Sequence, residues 1–245
     1  MLHQICATHH SVPITLEFDD DVYRPGSLTE IMADVMEVRP GDIAVDVGCG
    51  TGYLGIMAAL LGAHHVFCTD TEPNAVKWTL HNARLNGVAN ITVLQGGALD
   101  PVEHVRADLI VTLPPQMPYP TDFNPWRHGG TDGTDVILKI IAQARRILEK
   151  EGGRLYLLHA ALADPAKVRR ALSEHGFSWE IVRTVKRKFD RAELEALTPG
   201  LPDYLLQLAQ KDMAEIRERN GQTEYPIWIY KVVPSAHETK PCGLK

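Results

Sequence analysis

The chain has 245 residues, 44% hydrophobic and 23% charged, with 25 basic against 31 acidic side chains and a net charge of −6. That length suits one sizeable core in a single α/β domain with decorations and leaves little for two full domains. The acidic balance argues against a nucleic-acid partner, which calls for a basic excess or stripe, and no apolar run reaches the ~18 residues of a membrane span or opens the chain as a signal peptide.

In chain order, residues 1–21 read as an N-terminal extension, a tail before the first regular element. An amphipathic helix is predicted over 27–37, with Leu28, Ile31, Met32 and Val35 on one face. Strand-length apolar runs follow at 43–47, 65–69, 91–95, 108–113 and 154–160, separated in part by predicted helices at 53–61, 72–86 and 134–149. The last helix has the clearest period, with Ile137, Ile140, Ile141, Ala144, Ile147 and Leu148 on one side. A further helix over 164–175 carries Asp164 as N-cap, Pro165 at its first position and Gly176 just past its end. Strands alternating with helices of about a dozen residues imply right-handed crossovers and a parallel sheet covered on both faces. Two more strands, 179–185 and 226–233, lack a regular crossover and are expected to pair antiparallel at one edge.

Between those last strands lies a segment, 187–225, that reads as two inserted helices. The first opens with Asp190 and Glu193 in capping-box spacing. The second is expected to carry Leu205, Leu208, Ala209, Met213 and Ile216 on one face and to stop at Asn220-Gly221. The insert is either an edge cover that protects the sheet from pairing, or a substrate lid or homodimer face. The expected domain runs from 22 to 233, with 234–245 a C-terminal tail.

Cys6, Cys49, Cys68 and Cys242 include no C-x-x-C pair, which points to reduced thiols in a cytoplasmic protein and away from a disulfide frame or zinc. The histidine pairs His9-His10 and His64-His65 would point to opposite faces of a strand, so no metal site is expected. The basic run Val185–Lys188 reads as the solvated end of a strand.

The first strand of the parallel set runs into "DVGCGTGYLG", with Asp46, Gly48, Gly50 and Gly52. Glycines at this spacing let a ligand press against main chain, and the helix that follows offers its free N–H groups. The next strand ends in Asp70, about 20 residues on, where an acid meets ribose hydroxyls in doubly wound folds. The loop contains an acid, and Gly48, Gly50 and Gly52 are spaced by two, which favours S-adenosyl-L-methionine over a dinucleotide.

"VDVGCGTGYLGIMAA" and "CTDTEPNAVKWTLHNARLNG" resemble the class I S-adenosylmethionine-dependent methyltransferases. "VYRPGSLTEIMADVM", "DLIVTLPPQMPY" and "WRHGGTDGTDVILKII" are similar to the pre-motif helix, the "NPPY" corner and the "GG-x-DG" loop of the release-factor glutamine methyltransferases and their relatives. The resemblance spans roughly 22–185. It implies a Rossmann-like seven-stranded sheet, mostly parallel with one antiparallel edge strand. It also implies that Asp46, Gly48, Gly50 and Gly52 hold the methionine end of the cofactor, that Asp70 and Thr71 take the ribose, and that Gly97 and Ala98 line the adenine, with Asp100 a weaker candidate. Tyr23 and Thr29 of the pre-motif segment would face the donor, Tyr23 walling the sulfonium together with Tyr119 and Trp126.

This sequence departs from the pattern at the corner: the Asn position is Leu113 and the Tyr position is Gln116. Leucine accepts no hydrogen bond, while Pro114 and Pro115 still present carbonyls. Three readings stay open: a nitrogen acceptor held by carbonyls and Gln116, a different small molecule against an apolar wall at Leu113 (an oxygen or carbon acceptor), or a catalytically silent cofactor-binding module. His128 is the nearest histidine to the corner and the candidate base. The acceptor is expected to be a small molecule or a protein side chain. About 20 residues precede the resemblance, so the N-terminal helical recognition module of bacterial members is not expected here and release factor is a doubtful substrate.

Overall fold

The computed structural model describes residues 1–149, 151–219 and 222–235. The chain opens with a hairpin, β1 (His3–His9) and β2 (Val12–Phe18), joined by His10 and Ser11 at φ 51° and 66°. That two-residue turn matches the twist of paired strands. The expected tail is therefore a structured element. Its signal was the period-two alternation of "VPITLEF", which puts Ile14, Leu16 and Phe18 into the core at 2% exposure or less.

After α1 (Ser27–Val35) come β3 (Ile43–Val47), α2 (Tyr53–Leu60), β4 (His65–Asp70), α3 (Pro73–Leu85) and β5 (Ile91–Gln95). Next are β6 (Leu109–Thr112), α4 (Asp135–Ile147), β7 (Arg154–Ala160), α5 (Pro165–Glu174) and β8 (Phe177–Lys188). The chain continues through α6 (Arg191–Leu197), α7 (Leu201–Gln210), β9 (Arg217–Arg219) and β10 (Gln222–Pro234). The main sheet has the order β5-β4-β3-β6-β7-β10-β8, with short β9 on β10. β3 to β7 are parallel, and β10 runs antiparallel to both of its long neighbours. The mostly parallel doubly wound sheet expected from sequence is thus present, and its antiparallel strand lies one position in from the edge that β8 forms. Strand order reverses between β3 and β6, so their carboxyl ends open a crevice where such folds bind ligands.

Two layers cover the sheet. On one face α1 and α2 pack with the β hairpin and the insert, burying Leu16, Met32, Ile56, Met57, Leu201 and Leu205. On the other, α4 and α5 bury Ile137, Ile140, Ile141, Val168 and Leu172. Asp164 caps α5 by accepting from Lys167 N at 2.9 Å, and Asp190 caps α6 by accepting from Ala192 N and Glu193 N. The second insert helix ends ten residues before the expected stop. Asp212 adopts φ 58° and Met213 N donates to Leu208 O, closing α7, so Met213 and Ile216 lie beyond it. The expected stop at Asn220-Gly221, most of the C-terminal tail and Cys242 lie outside the described residues. β8 and β10 also extend past 179–185 and 226–233, which narrows the insert at both ends.

Candidate active site

The loop after β3 is built from left-handed backbone. Gly48 and Gly50 stand at φ 74° and 53°, and a Cβ on Gly48 would meet no atom within 4 Å. The turn therefore needs glycine, and its open side faces a cleft of about 830 Å³. Gly48 N and Cys49 N donate to Thr69 O, and Gly50 N donates to Asp70 Oδ2 at 2.9 Å, so the end of β4 holds the loop in shape. Gly52 does something different. It caps α2 at φ 84°, and a Cβ there would lie 2.9 Å from Thr79 Cγ2. It stands back from the cleft, and the missing Cβ lets α3 pack closely against the loop.

Asp46 lies under the loop at 2% exposure and accepts from Gly55 N at 2.8 Å. Burial pushes its carboxyl up to about 7, against the Gly55 N–H and with help from the charge of Asp70. Asp70 accepts from Gly50 N and Glu72 N, and each oxygen keeps a lone pair for a ligand hydroxyl. Cys49 and Cys68 are free thiols, as is Cys6 on the hairpin, and the hydrogen bond that the Cys68 thiol makes to Cys49, together with burial, raises Cys68 well above the usual thiol range.

Gly97, Ala98 and Thr71 line the same cleft beyond Asp70. Ala98 sits at φ 52° and its carbonyl accepts from Thr69 Oγ1 at 2.8 Å, which presents the turn edge-on as backbone. Asp100 turns away. It pairs with Lys139 at 2.7 Å and hydrogen-bonds Gln143 on α4, so it anchors the turn. Thr29, at the start of α1, accepts from Gly26 N at 3.4 Å and faces the cleft from the opposite wall. Tyr23 is 44% exposed at its mouth, edge-on to Trp126 with ring centroids 6.3 Å apart, and Arg127 stands 5.7 Å above its ring.

The double-proline corner begins one residue past β6. Leu113, Pro114, Pro115 and Gln116 all line the cleft. Gln116 is not aimed at a substrate, however: its Nε2 donates to Pro114 O and Leu158 O at 3.2 Å each, and its Oε1 accepts from Ala160 N at 2.5 Å. It ties the corner to the end of β7. His128 is likewise occupied, by Asp122 at Nδ1 and by Tyr119 O at 2.8 Å on Nε2. Both residues line the cleft and, in this structure, brace the corner. The corner pairs with the following loop through Gln116 N and Met117 N to Arg127 O, at 2.9 and 2.7 Å. A Cβ on Gly129 would fall 2.5 Å from Gln116 Cα, so this pairing requires glycine.

The insert forms a roof over the end of the cleft next to the corner. Phe189, Leu194, Leu201 and Leu205 sink into the core. Tyr119 Oη donates to Pro199 O at 2.6 Å, and Tyr204 Oη donates to Thr131 O at 2.8 Å, so α7 is clasped to the corner loop. Arg127, Arg187, Glu193, Leu197 and Tyr225 line this end; from sequence Glu193 was read only as part of a capping box and Arg187 only as part of a solvated basic run, and Arg127, Leu197 and Tyr225 were not singled out. Only the apolar stripe of the insert hinted at Leu194 and Leu197. Also missed was His9, whose ring bridges Asp34 at 2.6 Å and Tyr53 Oη at 2.7 Å, linking the hairpin to the first residue of α2. Among the described residues no three His, Cys, Asp or Glu side chains are grouped to hold a metal, and no helix is long and apolar enough to cross a membrane.

Known methyltransferases resemble this chain in sequence and in fold. The chain is 29% identical over 184 residues to a Methanocaldococcus jannaschii protein named as a candidate protein N5-glutamine methyltransferase, covering 72% of this chain and 91% of that one. It is 34% identical over 150 residues to ribosomal protein L11 methyltransferase of Geobacillus thermodenitrificans, covering 61% of this chain and 42% of the relative, less than half its length. Its fold is similar to that of the precorrin-6y C5,15-methyltransferase of Geobacter metallireducens, with a TM-score of 0.56 at 14% identity over 90% of this chain and 93% of that one. The family described as methyltransferase small domain matches residues 24–176, which run from the mouth of the cleft through the glycine loop, Asp70 and the corner to the end of α5. The chain belongs to that family, and so to the S-adenosylmethionine-dependent methyltransferases.

Proposed function

We propose that the chain methylates a nitrogen on a small molecule or protein side chain held between the 113–119 corner and α6. The carrying observation is one continuous cleft that joins Asp46, the glycine loop and Asp70 to the corner and the roof. S-adenosylmethionine, when bound, supplies a sulfonium methyl for in-line displacement. The glycine loop, Asp46 and Asp70 fit such a donor: the open face at Gly48 offers main chain, and the two acids offer acceptors to its ammonium and ribose groups. The corner orients the acceptor. Pro114 O spends one lone pair on Gln116 and keeps the other, while Leu113 and the roof exclude water. Orientation of this kind contributes several kcal/mol to a transfer.

The relatives' names point to amide or ribosomal-protein substrates, but Leu113 offers no acceptor to an amide. An oxygen or carbon acceptor against that apolar wall is therefore the second reading. The test is labelled methyl transfer into fractionated metabolites and proteins of the source cell, read by mass spectrometry. Product S-adenosylhomocysteine is expected, and is lost in Asp70→Ala together with donor affinity. Donor binding without turnover on any fraction would mark a silent cofactor-binding module instead.

A further inference from the structure

The acceptor end of the cleft has an apolar body and a cationic rim. Leu113, Leu194, Leu197 and Ile227 form the body. On the rim, Arg187 has one carboxylate partner, Glu193 at 3.3 Å, and both side chains are about half exposed. Asp190 is consumed by the α6 cap and by Lys188 at 3.5 Å. The guanidinium of Arg127 has no carboxylate partner among the described residues and only the Tyr23 ring beneath it, so it is the surplus charge. Tyr225 is 6% exposed and lines the cleft, yet its hydroxyl has no hydrogen-bond partner among the described residues. Burial raises its phenol, Arg187 and Arg127 act in the opposite sense, and the Glu193 carboxylate adds to the rise. This hydroxyl opens on the cleft, with Arg187 opposite it across the β8–β10 pair, and is free to donate to a ligand.

We propose that Arg127, Arg187 and the Tyr225 hydroxyl form an anion subsite. It receives the carboxylate or phosphate of a small acceptor whose apolar body lies against Leu113, Leu194 and Leu197. Guanidinium groups and a hydroxyl supply the charge-assisted donors such an oxyanion takes. The leucine at the corner then follows: the acceptor is aligned by its anion at the rim, so no amide-binding asparagine is needed beside the prolines.

The inference rests on the methyl-donor reading of the glycine loop, and the experiment separates the two. The protein saturated with S-adenosylhomocysteine is titrated calorimetrically with phenylacetate, phenyl phosphate and uncharged phenylacetamide. At least one anion is expected to bind about tenfold or more tightly than the amide. Arg127→Gln should remove that margin while leaving S-adenosylhomocysteine affinity within about twofold, and Arg187→Gln and Tyr225→Phe should each narrow it. The preferred anion distinguishes carboxylate from phosphate. Equal affinity for all three probes, no binding of either anion, or an unchanged margin in Arg127→Gln overturns the subsite. So does a parallel fall in S-adenosylhomocysteine affinity in Arg127→Gln, which would assign that side chain to the cofactor. So too does methylation of a glutamine peptide by wild type and Arg127→Gln alike. If the wild type fails to bind S-adenosylhomocysteine, the donor reading fails, and the same titration on the protein alone still decides the subsite.

Discussion

Asp46 is a carboxyl whose environment decides its charge near neutrality. Its folded value of about 7 lies above the ordinary 3.8, so between those values the native state keeps a proton that the unfolded chain has lost. Stability from this group is therefore greatest at low pH and declines as pH rises towards about 7, and Asp46→Asn should flatten that slope in chemical denaturation. Cofactor binding should run the opposite way. A cationic donor prefers the carboxylate, so calorimetric affinity for S-adenosylmethionine should rise through about pH 7 and level off above it; Asp46→Asn should bind about tenfold more weakly at pH 8 with no such rise. A wild-type affinity flat across that window would remove Asp46 from the donor site. At the corner, Leu113→Asn should not confer methylation of glutamine peptides, because Gln116 is tied to Ala160 and Leu158 and the roof lies over the acceptor end. Peptide mass spectrometry showing a large gain would make the corner a relic of an amide site. The glycine loop and Asp70 were legible as one cluster because a single loop and the next strand end encode them. The structural ties of Gln116 and Gly52 were not legible because their partners sit some thirty or forty residues further along the chain, on β7 and α3.

Among the elements, the parallel strands and their helices announced themselves through period and length, and the caps at Asp164 and Asp190 through residue type. The second insert helix was overrun because Met213 and Ile216 keep a helical spacing that Asp212, in the left-handed region, interrupts. No local pattern marks that residue, since aspartate tolerates the conformation without requiring it. The hairpin was missed because its edge is paired by side chains. Asn86 and Asn82 of α3 each donate to and accept from the backbone of β2, at Thr15 and Glu17. The insert's role as a roof also depends on contacts distant in sequence, those of Tyr119 with Pro199 and of Tyr204 with Thr131. Each hydrogen bond contributes about 1 kcal/mol. The double variant Tyr119→Phe, Tyr204→Phe should therefore speed amide hydrogen exchange across 191–210 and leave exchange in the parallel strands unchanged. Uniform acceleration throughout the chain would mean the roof opens only when the whole domain unfolds.

At the scale of the molecule, the two layers do different work. The α4–α5 face is almost wholly apolar packing, whereas the opposite face gathers the hairpin, the glycine loop and the roof around one cleft. Asn82 is where that face is joined: its Nδ2 donates to Glu17 O and to Thr51 O, both at 2.9 Å, while its Oδ1 accepts from Glu17 N at 2.8 Å. One buried amide thus couples the N-terminal hairpin to the cofactor loop. Asn86 makes the same pair of bonds to Thr15 without touching that loop. Asn82→Ala and Asn86→Ala should both lower stability, by about 2–4 kcal/mol for the stranded backbone groups. Only Asn82→Ala should also weaken S-adenosylmethionine binding, because only it releases the Thr51 carbonyl and with it the loop's geometry. Denaturant titration and calorimetry on the two variants separate these effects. Equal losses of affinity in both would show that the hairpin supports the cleft by stability alone, and unchanged affinity in both would place the loop's anchorage entirely in Thr69 and Asp70.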